Sequence, residues 1–370
     1  MFVTTEHAIY HNGILCEGSA NRITDLLSER GEAFVVVRHS MDGSTCSEVF
    51  KFKGATLLEK VKLPVISKIS ALRYITEVFS TVFFFLLGLK ERNLIWIGVD
   101  PLNAFSGLLL KKMGVVCKVV YFSLDFSYQR FQNKALNWIY LTMDRYCSVS
   151  ADKVWNVSPR IQELRRGMGV LDENNLFVPN TPTGKYKRFL ENHKQKNMLV
   201  TMGSLNDDQD FIGLFDALKE LNTTRPVYLK LIGGGPMRSS YEKYVRDLGV
   251  GDKVIFTGQL PHMAALEETS YCGIGVALYA GVRSYDYFRD SVKAREYMRL
   301  GLPVVMTDLF SPSNEIREFS AGVICQRGKD WYAQAIATIL DQYDAYSKNA
   351  IRLADKYEGV HQRVLDELYE

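Results

Sequence analysis

Short apolar runs alternate along the chain with longer stretches in which apolar residues recur every three or four positions. The runs have the composition of buried parallel strands, and the longer stretches have the period of helices that pack against a sheet. Because strand, loop and helix follow one another repeatedly in both halves, we expect two doubly wound, Rossmann-like α/β domains that face each other across a cleft. The predicted strands are 2–5, 33–38, 94–99, 115–122, 151–158, 176–179, 198–202, 227–232, 253–257, 274–279, 303–306 and 322–325.

A helix, a sharp stop and a strand are predicted between residues 290 and 308. Asp290 or Ser291 can cap the helix, since their side-chain oxygens accept hydrogen bonds from its first amides. Gly301 suits a left-handed residue at the end of the helix, and Pro303 prevents the helix from continuing. The apolar residues from Pro303 onward then form a short buried strand.

Lys293, Glu296 and Tyr297 lie three or four positions apart and therefore share one face of this helix. Free amides, a cation and a carboxylate at a helix start suit a nucleoside diphosphate, with phosphate on Lys293 and ribose hydroxyls on Glu296. The alternative is a surface helix with one Lys–Glu pair, which contributes about 0.2–0.5 kcal/mol.

Glycine-bearing turns in the second half favour the ligand site over the surface helix. They lie at Gly203, 233–235 and Gly258, each at the end of a predicted strand. A backbone without side chains can approach phosphate, ribose and base closely.

The first half opens as strand, glycine loop, helix and strand, which is how a Rossmann-like domain begins. The loop lacks GxGxxG, so it does not indicate a dinucleotide site. Gly13 in this loop either leaves room for an acceptor substrate or serves only the turn, and both interpretations stay open. His11 lies in the same loop, on the side expected to face the cleft.

Asp125 follows the predicted strand 115–122, and chemistry in open α/β sheets lies just beyond the carboxyl ends of strands. Its carboxylate is therefore a candidate general base that accepts a proton from an acceptor hydroxyl. It could instead cap the next helix, or do both. Arg130 lies in the stretch that follows and is assigned to the acceptor side.

The composition is that of a globular protein with a substantial core. The chain has 370 residues, of which 47% are hydrophobic and 24% charged, enough for two ordinary domains. A net charge of +3 is too small to indicate nucleic-acid binding. The six cysteines show no CxxC pattern, which favours a reducing compartment. The N-terminus lacks the regions of a signal peptide, so we expect a cytoplasmic protein.

Residues 51–89 combine a basic segment with an apolar, phenylalanine-rich run at 78–89. The run is shorter than the ~20 residues of a transmembrane helix. A basic segment beside an aromatic-rich helix can lie on an anionic membrane surface, on the inner face of the cell membrane. A core helix behind a solvated charged loop predicts the same composition, so both interpretations stay open.

Several segments of the second half, taken in their order and spacing, carry a family resemblance. They are Met-Gly-Ser-Leu at 202–205, Leu-Ile-Gly-Gly-Gly-Pro at 231–236, Val-Ile-Phe-Thr-Gly-Gln-Leu-Pro at 254–261, Val-Lys-Ala-Arg-Glu-Tyr-Met-Arg-Leu-Gly-Leu-Pro-Val-Val at 292–305 and Asn-Glu-Ile at 314–316. This half resembles the nucleotide-sugar domain of GT-B glycosyltransferases of family 4, the glycosyl transferases group 1. The first half resembles the family's N-terminal domains more loosely, at 154–158 and 178–180.

The resemblance implies a GT-B fold and a donor site with assigned residues. The implied donor-binding residues are Gly203, Gly235, Gln259, Leu260, Lys293, Glu296 and Tyr297. Lys293 would hold the pyrophosphate and Glu296 the ribose. The two glycines would let the backbone close on the donor, and Gln259 and Leu260 would border the base. Asp125 lies where such enzymes place a catalytic residue on the acceptor side.

The chain departs from the family pattern in two places. A glutamate that many members carry falls at Phe288, and residues 206–210 replace basic residues that usually contact phosphate. The pattern from Asp290 to Tyr297 resembles the branch with the xanthan-type glucuronosyltransferases, which are inverting. The stereochemical outcome, retaining or inverting, therefore stays open, and direct displacement gains support, with Asp125 as general base and Lys293 as the cation for the leaving group.

No metal site is expected from the sequence. Asp208 and Asp210 form a DxD pattern, but they precede a helix, where carboxylates interact with the first amides. The histidines His7, His11, His39 and His262 have no metal-site spacing.

We predict a metal-independent glycosyltransferase whose co-substrate is a nucleoside diphosphate sugar, with no other cofactor. The predicted acceptor is a hydroxyl of a surface glycan or of its lipid-linked precursor. The expected parts are an acceptor domain at 1–183, a hinge-like linker at 184–196, a donor domain at 197–350, and a C-terminal helix at 351–370 that packs back on the first domain. The alternatives are a non-catalytic GT-B subunit that binds a glycan or a partner, and a nucleotide-sugar 2-epimerase.

Overall fold

The computed structural model describes two compact units. The described residues are 1–8, 10–11, 14–15, 19–40, 46–64, 70–88, 91–182, 186, 189–190, 192–281 and 286–369. The first unit comprises residues 1–179 and 359–370, and the second comprises 180–358. Of the proposed acceptor loop, Gly13 lies outside the described residues, and only the backbone of His11 is described. Five residues of the expected linker also lie outside them, and its last two residues begin a strand.

The first unit is built on one eight-stranded sheet in which six neighbouring strands are parallel. Its strands and two further short ones are β1 (Phe2–Ala8), β2 (Tyr10–His11), β3 (Ile14–Leu15), β4 (Ala33–Ser40), β5 (Glu48–Lys53), β6 (Thr56–Lys62), β7 (Leu94–Val99), β8 (Val116–Ser123), β9 (Lys153–Asn156) and β10 (Asn175–Phe177). The strand order is β10-β9-β8-β7-β1-β4-β5-β6, and β2 pairs only with β3. The predicted parallel α/β organisation is therefore confirmed in this unit.

Most helices of the first unit connect strands of the sheet. They are α1 (Ser19–Glu29), α2 (Ser70–Phe83), continued by a π-helix (Phe84–Gly88), α3 (Asp100–Lys112), α4 (Lys134–Ser150), α5 (Pro159–Gly167) and, from the end of the chain, α13 (Val360–Asp366). Trp96 on β7 fills the core beneath α3, where a Cβ on Gly107 would lie 2.2 Å from its ring. Gly107 thus allows the helix to lie directly on the sheet.

One interpretation of the sequence expected a solvated loop in the charged segment after residue 50, but the structure has strands there. Residues 51–62 belong to β5 and β6, which form an antiparallel hairpin at the edge of the sheet. The sequence obscured these strands because β6 is exposed along most of its length and carries lysines rather than a buried apolar face. Lysines on an edge strand also disfavour pairing with other chains.

The second unit is built on one six-stranded parallel sheet. Its strands are β11 (Gln195–Met202), β12 (Tyr228–Ile232), β13 (Val254–Gly258), β14 (Cys272–Ala277), β15 (Val304–Thr307) and β16 (Gly322–Cys325). Its helices are α6 (Phe211–Leu221), α7 (Arg238–Asp247), α8 (His262–Ser270), α9 (Val292–Arg299), α10 (Ser313–Phe319), α11 (Lys329–Asp341) and α12 (Tyr343–Lys356). The order β13-β12-β11-β14-β15-β16 makes β11 and β14 the point at which the strand order reverses.

The predicted stretch from 290 to 308 forms as expected. The Ser291 side chain caps α9 by accepting a hydrogen bond from the Ala294 amide, at 3.3 Å. The helix ends before Gly301, which has a φ of +77°, and β15 follows. Gly301 is therefore the left-handed residue that the sequence predicted.

Candidate functional site

Three glycine turns lie side by side at the carboxyl ends of β11, β12 and β13, which are neighbours in the sheet. The amide of Gly203 donates to the Ile232 carbonyl, and the amide of Gly233 donates to the Gly258 carbonyl, both at 2.9 Å. Gly203, Gly233 and Gly258 all have positive φ values, of +130°, +148° and +79°. The predicted glycine turns thus form one continuous backbone surface at one edge of the sheet.

The turns are packed too closely for side chains. A Cβ on Gly233 would lie 1.9 Å from the Gly203 carbonyl oxygen, and one on Gly235 would lie 2.3 Å from the Leu205 carbonyl oxygen. Gly203 and Gly235 are nevertheless exposed. The glycines therefore serve the turns themselves, and they also leave backbone open to a ligand.

Lys293 lies where the strand order reverses, the usual position of a ligand in an open α/β sheet. A Cβ on Gly203 would lie 2.9 Å from both the Cε and the Nζ of Lys293, so the side chain runs along this turn. Its Nζ is 5.6 Å from the ring centroid of Tyr279, just beyond β14. The Lys293 ammonium group therefore lies next to the carboxyl ends of both β11 and β14.

The Lys293 ammonium is held in an environment that disfavours its charge. Burial, reinforced by the positive charge of Arg289, lowers the pKa of Lys293 to about 7, although Glu296 opposes the shift. A bound phosphate would supply the negative charge that this environment lacks. The site is thus arranged to favour an anion beside Gly203.

Gln209 contacts Lys293 and was missed by the sequence reasoning. The Lys293 Nζ donates to Gln209 Oε1 at 2.9 Å, while Gln209 Nε2 donates to the Ser204 carbonyl at 3.1 Å. The amide is buried, and its backbone bridges to that of Tyr279. Because both ends of the amide are bonded, its oxygen is fixed toward the ammonium. A neutral glutamine gives no sequence signal of this role.

Glu296 lies on α9, one turn after Lys293, and its carboxylate is almost fully buried. Its Oε1 accepts a hydrogen bond from the Tyr186 hydroxyl at 3.0 Å and lies 2.9 Å from His262 Nε2. His262 lies at the start of α8, and the sequence assigned it no role beyond the absence of metal-site spacing. With Oε1 held on the protein, Oε2 is the oxygen that could accept bonds from a pair of hydroxyls.

Tyr297 occupies the core beneath the site. Its ring is fully buried against Gly275, where a Cβ would lie 2.2 Å from the ring. Its hydroxyl accepts a hydrogen bond from the Met202 amide at 2.8 Å, which fixes the residue before Gly203. The structure therefore gives Tyr297 contacts that position the first glycine turn.

The start of α9 is anchored by a buried ion pair. Arg295 donates from Nε to both oxygens of Asp290, at 3.1 and 3.2 Å, and from Nη2 to Glu315 at 2.6 Å. Burial raises the pKa of Asp290 even though Arg295 opposes the shift. Asp290 thus braces the segment that leads into Lys293, while Ser291 supplies the cap.

Gln259 and Leu260 follow β13 directly. Gln259 is exposed, and its Cβ lies 4.0 Å from the position of a Cβ on Gly234. Leu260 is half-buried and packs on the core. The two residues border the glycine turns on the β13 side.

Two of the acceptor-side candidates of the first unit, Asp125 and Arg130, lie beyond the carboxyl end of β8. Asp125 follows β8, and Arg130 Nη1 donates to its two oxygens at 2.7 and 2.8 Å. Asp100 follows β7 with a φ of +68°, which is unusual for an aspartate. Burial and then the charge of Asp125 raise the pKa of Asp100 to about 6. Asp100 meets the same strand-end rule as Asp125, yet it was not among the candidates taken from the sequence.

A second polar cluster lies at the ends of β1 and β4. His7 Nε2 is 3.1 Å from Glu77 Oε2, and Asn103 Nδ2 is 3.0 Å from His7 Nδ1. Because Asn103 Nδ2 is a donor, His7 Nδ1 accepts and its Nε2 carries the proton toward Glu77. His39 lies beside this cluster, with its ring centroid 5.5 Å from that of His7.

Of the DxD pattern, Asp210 serves the helix as predicted, whereas Asp208 accepts a hydrogen bond from Asn206 Nδ2 at 3.0 Å. Asp210 caps α6 by accepting from the Gly213 amide at 3.2 Å, and it also accepts from Arg327 and Tyr332 at 2.8 and 2.9 Å. Within the part of the chain that the structure describes, no cluster of three or more His, Cys, Asp or Glu side chains could hold a metal ion.

The second half of the chain matches a known protein family. Residues 183–355 match the family described as glycosyl transferases group 1. The lipopolysaccharide core biosynthesis glycosyltransferase LpsD of Rhizobium meliloti (strain 1021) is 41% identical over 105 residues, a match that covers 28% of this chain and only 29% of the relative.

Solved structures resemble the whole chain. WaaG, a glycosyltransferase involved in lipopolysaccharide biosynthesis, aligns with a TM-score of 0.67 at 16% identity over 99% of both chains. Anabaena Alr3699/HepE in complex with UDP aligns with a TM-score of 0.69 at 14% identity, covering 100% of this chain and 99% of the other.

The chain therefore has the GT-B fold, with two Rossmann-like domains, as the sequence predicted. The match to the glycosyl transferases group 1 covers residues 183–355, slightly less than half of the chain.

Proposed function

We propose that this protein transfers a sugar from a nucleoside diphosphate donor to a hydroxyl of a surface glycan or of its lipid-linked precursor. The observation that carries the proposal is the Lys293 ammonium beside the Gly203 turn, at the point where the strand order reverses. The family match and the relatives named for lipopolysaccharide biosynthesis support it. The UDP bound to HepE supports a uridine nucleotide as the first donor to test.

In this proposal the second unit binds the donor. Lys293 neutralises charge on the departing diphosphate, and the exposed backbone at Gly203 and Gly235 contacts the phosphates. Glu296 accepts bonds from the ribose hydroxyls through its second oxygen. Gln259 and Leu260 border the base.

The first unit supplies the acceptor side. Asp125 is proposed as the general base, and the guanidinium of Arg130 holds its carboxylate in one orientation. Burial lowers the pKa of Arg130, but the carboxylates of Asp125 and Asp100 outweigh it, and the net shift is upward. Arg130 therefore stays charged during proton transfer at Asp125. The transfer needs no essential metal, and the protein works in the cytoplasm at the inner face of the cell membrane.

Slow hydrolysis of the donor without acceptor tests the proposal. We expect release of one nucleotide from a panel of UDP-, GDP- and dTDP-sugars, and the same rate in the presence of EDTA. Absence of hydrolysis, together with absence of a thermal shift with any nucleotide, would instead favour a non-catalytic GT-B subunit. Hydrolysis that occurs without EDTA but is lost when EDTA is added would overturn only the metal independence of the mechanism.

Asp125→Asn is expected to reduce transfer to the acceptor by about 10²-fold, because general-base catalysis contributes at least that much in most enzymes. Donor hydrolysis and nucleotide affinity should stay at wild-type levels, since Asp125 lies in the unit that does not bind the donor. Asp172→Asn, an exposed aspartate paired with Arg166, is the matched control. Equal transfer by Asp125→Asn and wild type would remove Asp125 as the base.

Above pH 7, binding of the donor is expected to be coupled to uptake of a proton by Lys293. Lys293 has a pKa of about 7 without ligand, and a bound diphosphate raises it. Below pH 6 the ammonium is already formed and little uptake should occur, whereas near pH 8 uptake should approach one proton. Affinity should therefore fall as pH rises above 7. Calorimetry in two buffers of different ionisation enthalpy measures the uptake, and equal uptake at pH 6 and pH 8 would contradict it.

A further inference from the structure

Two side chains from distant parts of the sequence hold the same oxygen of the Glu296 carboxylate. The Tyr186 hydroxyl donates to Oε1 at 3.0 Å, and His262 Nε2 lies 2.9 Å from that oxygen. Because an ionised carboxylate only accepts hydrogen bonds, His262 Nε2 carries the proton of this contact. Oε1 therefore receives two bonds from the protein, which occupy both of its lone-pair sites.

The two donors are themselves held in place. The Tyr186 ring is buried and belongs to the same core cluster as Ala294 and Tyr297 of α9. The His262 imidazole lies edge-on to that ring, with the two ring centroids 6.4 Å apart. His262 is also the first residue of α8, so the helix fixes its backbone. The Glu296 carboxylate therefore meets a preformed pair of donors, which restrains its rotation.

This arrangement leaves only the second oxygen of Glu296 for a ligand. Among the residues that the structure describes, none forms a hydrogen bond or ion pair with Oε2. A ribose offers two neighbouring hydroxyls that can both donate to Oε2, whereas a 2′-deoxyribose offers one. Glu296 is only 7% exposed, so water replaces a missing hydroxyl poorly. A charged group left short of a partner in such a site lowers affinity strongly.

We propose that Tyr186 and His262 are positioning residues that orient Glu296 so that the site selects ribonucleoside diphosphates over their 2′-deoxy counterparts. The inference rests on the proposed donor site, and it narrows the donor to UDP- or GDP-sugars rather than dTDP-sugars. If either donor to Oε1 is removed, the carboxylate can turn and Oε1 needs a new partner. Water or the remaining hydroxyl then takes the place of the 2′-hydroxyl, and the selectivity falls.

Calorimetric titration of the full chain with UDP and with 2′-deoxyuridine diphosphate tests the inference. We expect the wild type to bind UDP at least about tenfold more tightly, because one hydrogen bond to a charged group contributes about that much. Tyr186→Phe and His262→Ala should each weaken UDP binding and reduce the ratio of the two affinities to less than about threefold. His262→Gln should recover most of the ratio, since its side-chain amide can place an N–H near the position of the imidazole Nε2.

Matched controls and a double variant separate positioning from general damage to the fold. Tyr244→Phe removes a hydroxyl that donates to Asp216 at 2.8 Å in the same unit, and His193→Ala changes an exposed histidine. Both controls should keep the wild-type ratio. In a Glu296→Ala background, His262→Ala should change neither affinity by more than about twofold, because no carboxylate is left to position.

The possible outcomes also distinguish this inference from the proposed function. Equal affinity of the wild type for the two nucleotides would overturn the inference and leave the proposed transfer intact. The same would follow if Tyr186→Phe and His262→Ala weakened both nucleotides by one common factor, or if His262→Ala lowered affinity as much without Glu296 as with it. Absence of binding by a folded wild type to UDP, GDP and dTDP would overturn the proposed function and this inference with it.

Discussion

Lys293→Ala is expected to reduce donor hydrolysis and transfer by about 10³-fold, since removal of one preorganised group that stabilises developing charge has effects of that order. The ammonium lies against the Gly203 turn and is oriented by Gln209. Its low pKa reflects burial and the nearby Arg289, which a diphosphate would offset. The expected loss therefore combines weaker donor binding with poorer stabilisation of the leaving group.

The measurement is nucleotide release and transfer over a range of donor concentrations, which separates weaker binding from a slower reaction, beside a matched lysine variant. Lys230→Ala serves as the control, because Lys230 lies on β12 of the same unit and pairs with Glu268 at 2.7 Å, away from the glycine turns. We expect wild-type rates for the control and an unchanged melting temperature for Lys293→Ala. A decrease of less than tenfold in Lys293→Ala would remove this residue from the proposed mechanism.

Local chemistry explains which parts of this fold were predictable. The cap at Ser291, the left-handed Gly301 and the cap at Asp210 depend on neighbours within about four residues, and all three were predicted from the sequence. The parallel sheets followed from apolar runs that are buried on both faces. The hairpin of β5 and β6 was missed because an exposed edge strand lacks such a run.

The candidate site was predictable only where a residue type indicates its chemistry. Lys293 and Glu296 are charged residues at helical spacing, and so they stood out. Gln209 and His262 were not identified, because their roles depend on contacts with residues 84 and 34 positions away along the chain. Asp100 follows the same strand-end rule as Asp125, but its left-handed backbone could be seen only in the structure. Long-range contacts of this kind carry no local signal.

Gly233→Ala is expected to lower the melting temperature by about 10 °C and to weaken nucleotide binding by about 10²-fold. The new Cβ would lie 1.9 Å from the Gly203 carbonyl oxygen, at a φ of +148° that side chains rarely adopt. To relieve this clash the turns after β11 and β12 must separate, which destabilises the fold by roughly 3–4 kcal/mol. For a domain of this size that loss corresponds to a decrease of about 10 °C in melting temperature. Separated turns would also carry the backbone amides away from the phosphate site beside Lys293.

The neighbouring glycine provides the comparison that isolates this clash. A Cβ on Gly234 would meet only the Cβ of Gln259, at an ordinary distance of 4.0 Å. Gly234→Ala should therefore melt at or slightly above the wild-type temperature, because alanine also restricts the unfolded chain. Thermal melts of both variants with and without UDP measure the stability and the binding together. Equal melting temperatures for the two variants would show that the turns after β11 and β12 can separate without loss of stability. The close packing of Gly233 on Gly203 would then not determine the shape of the donor site.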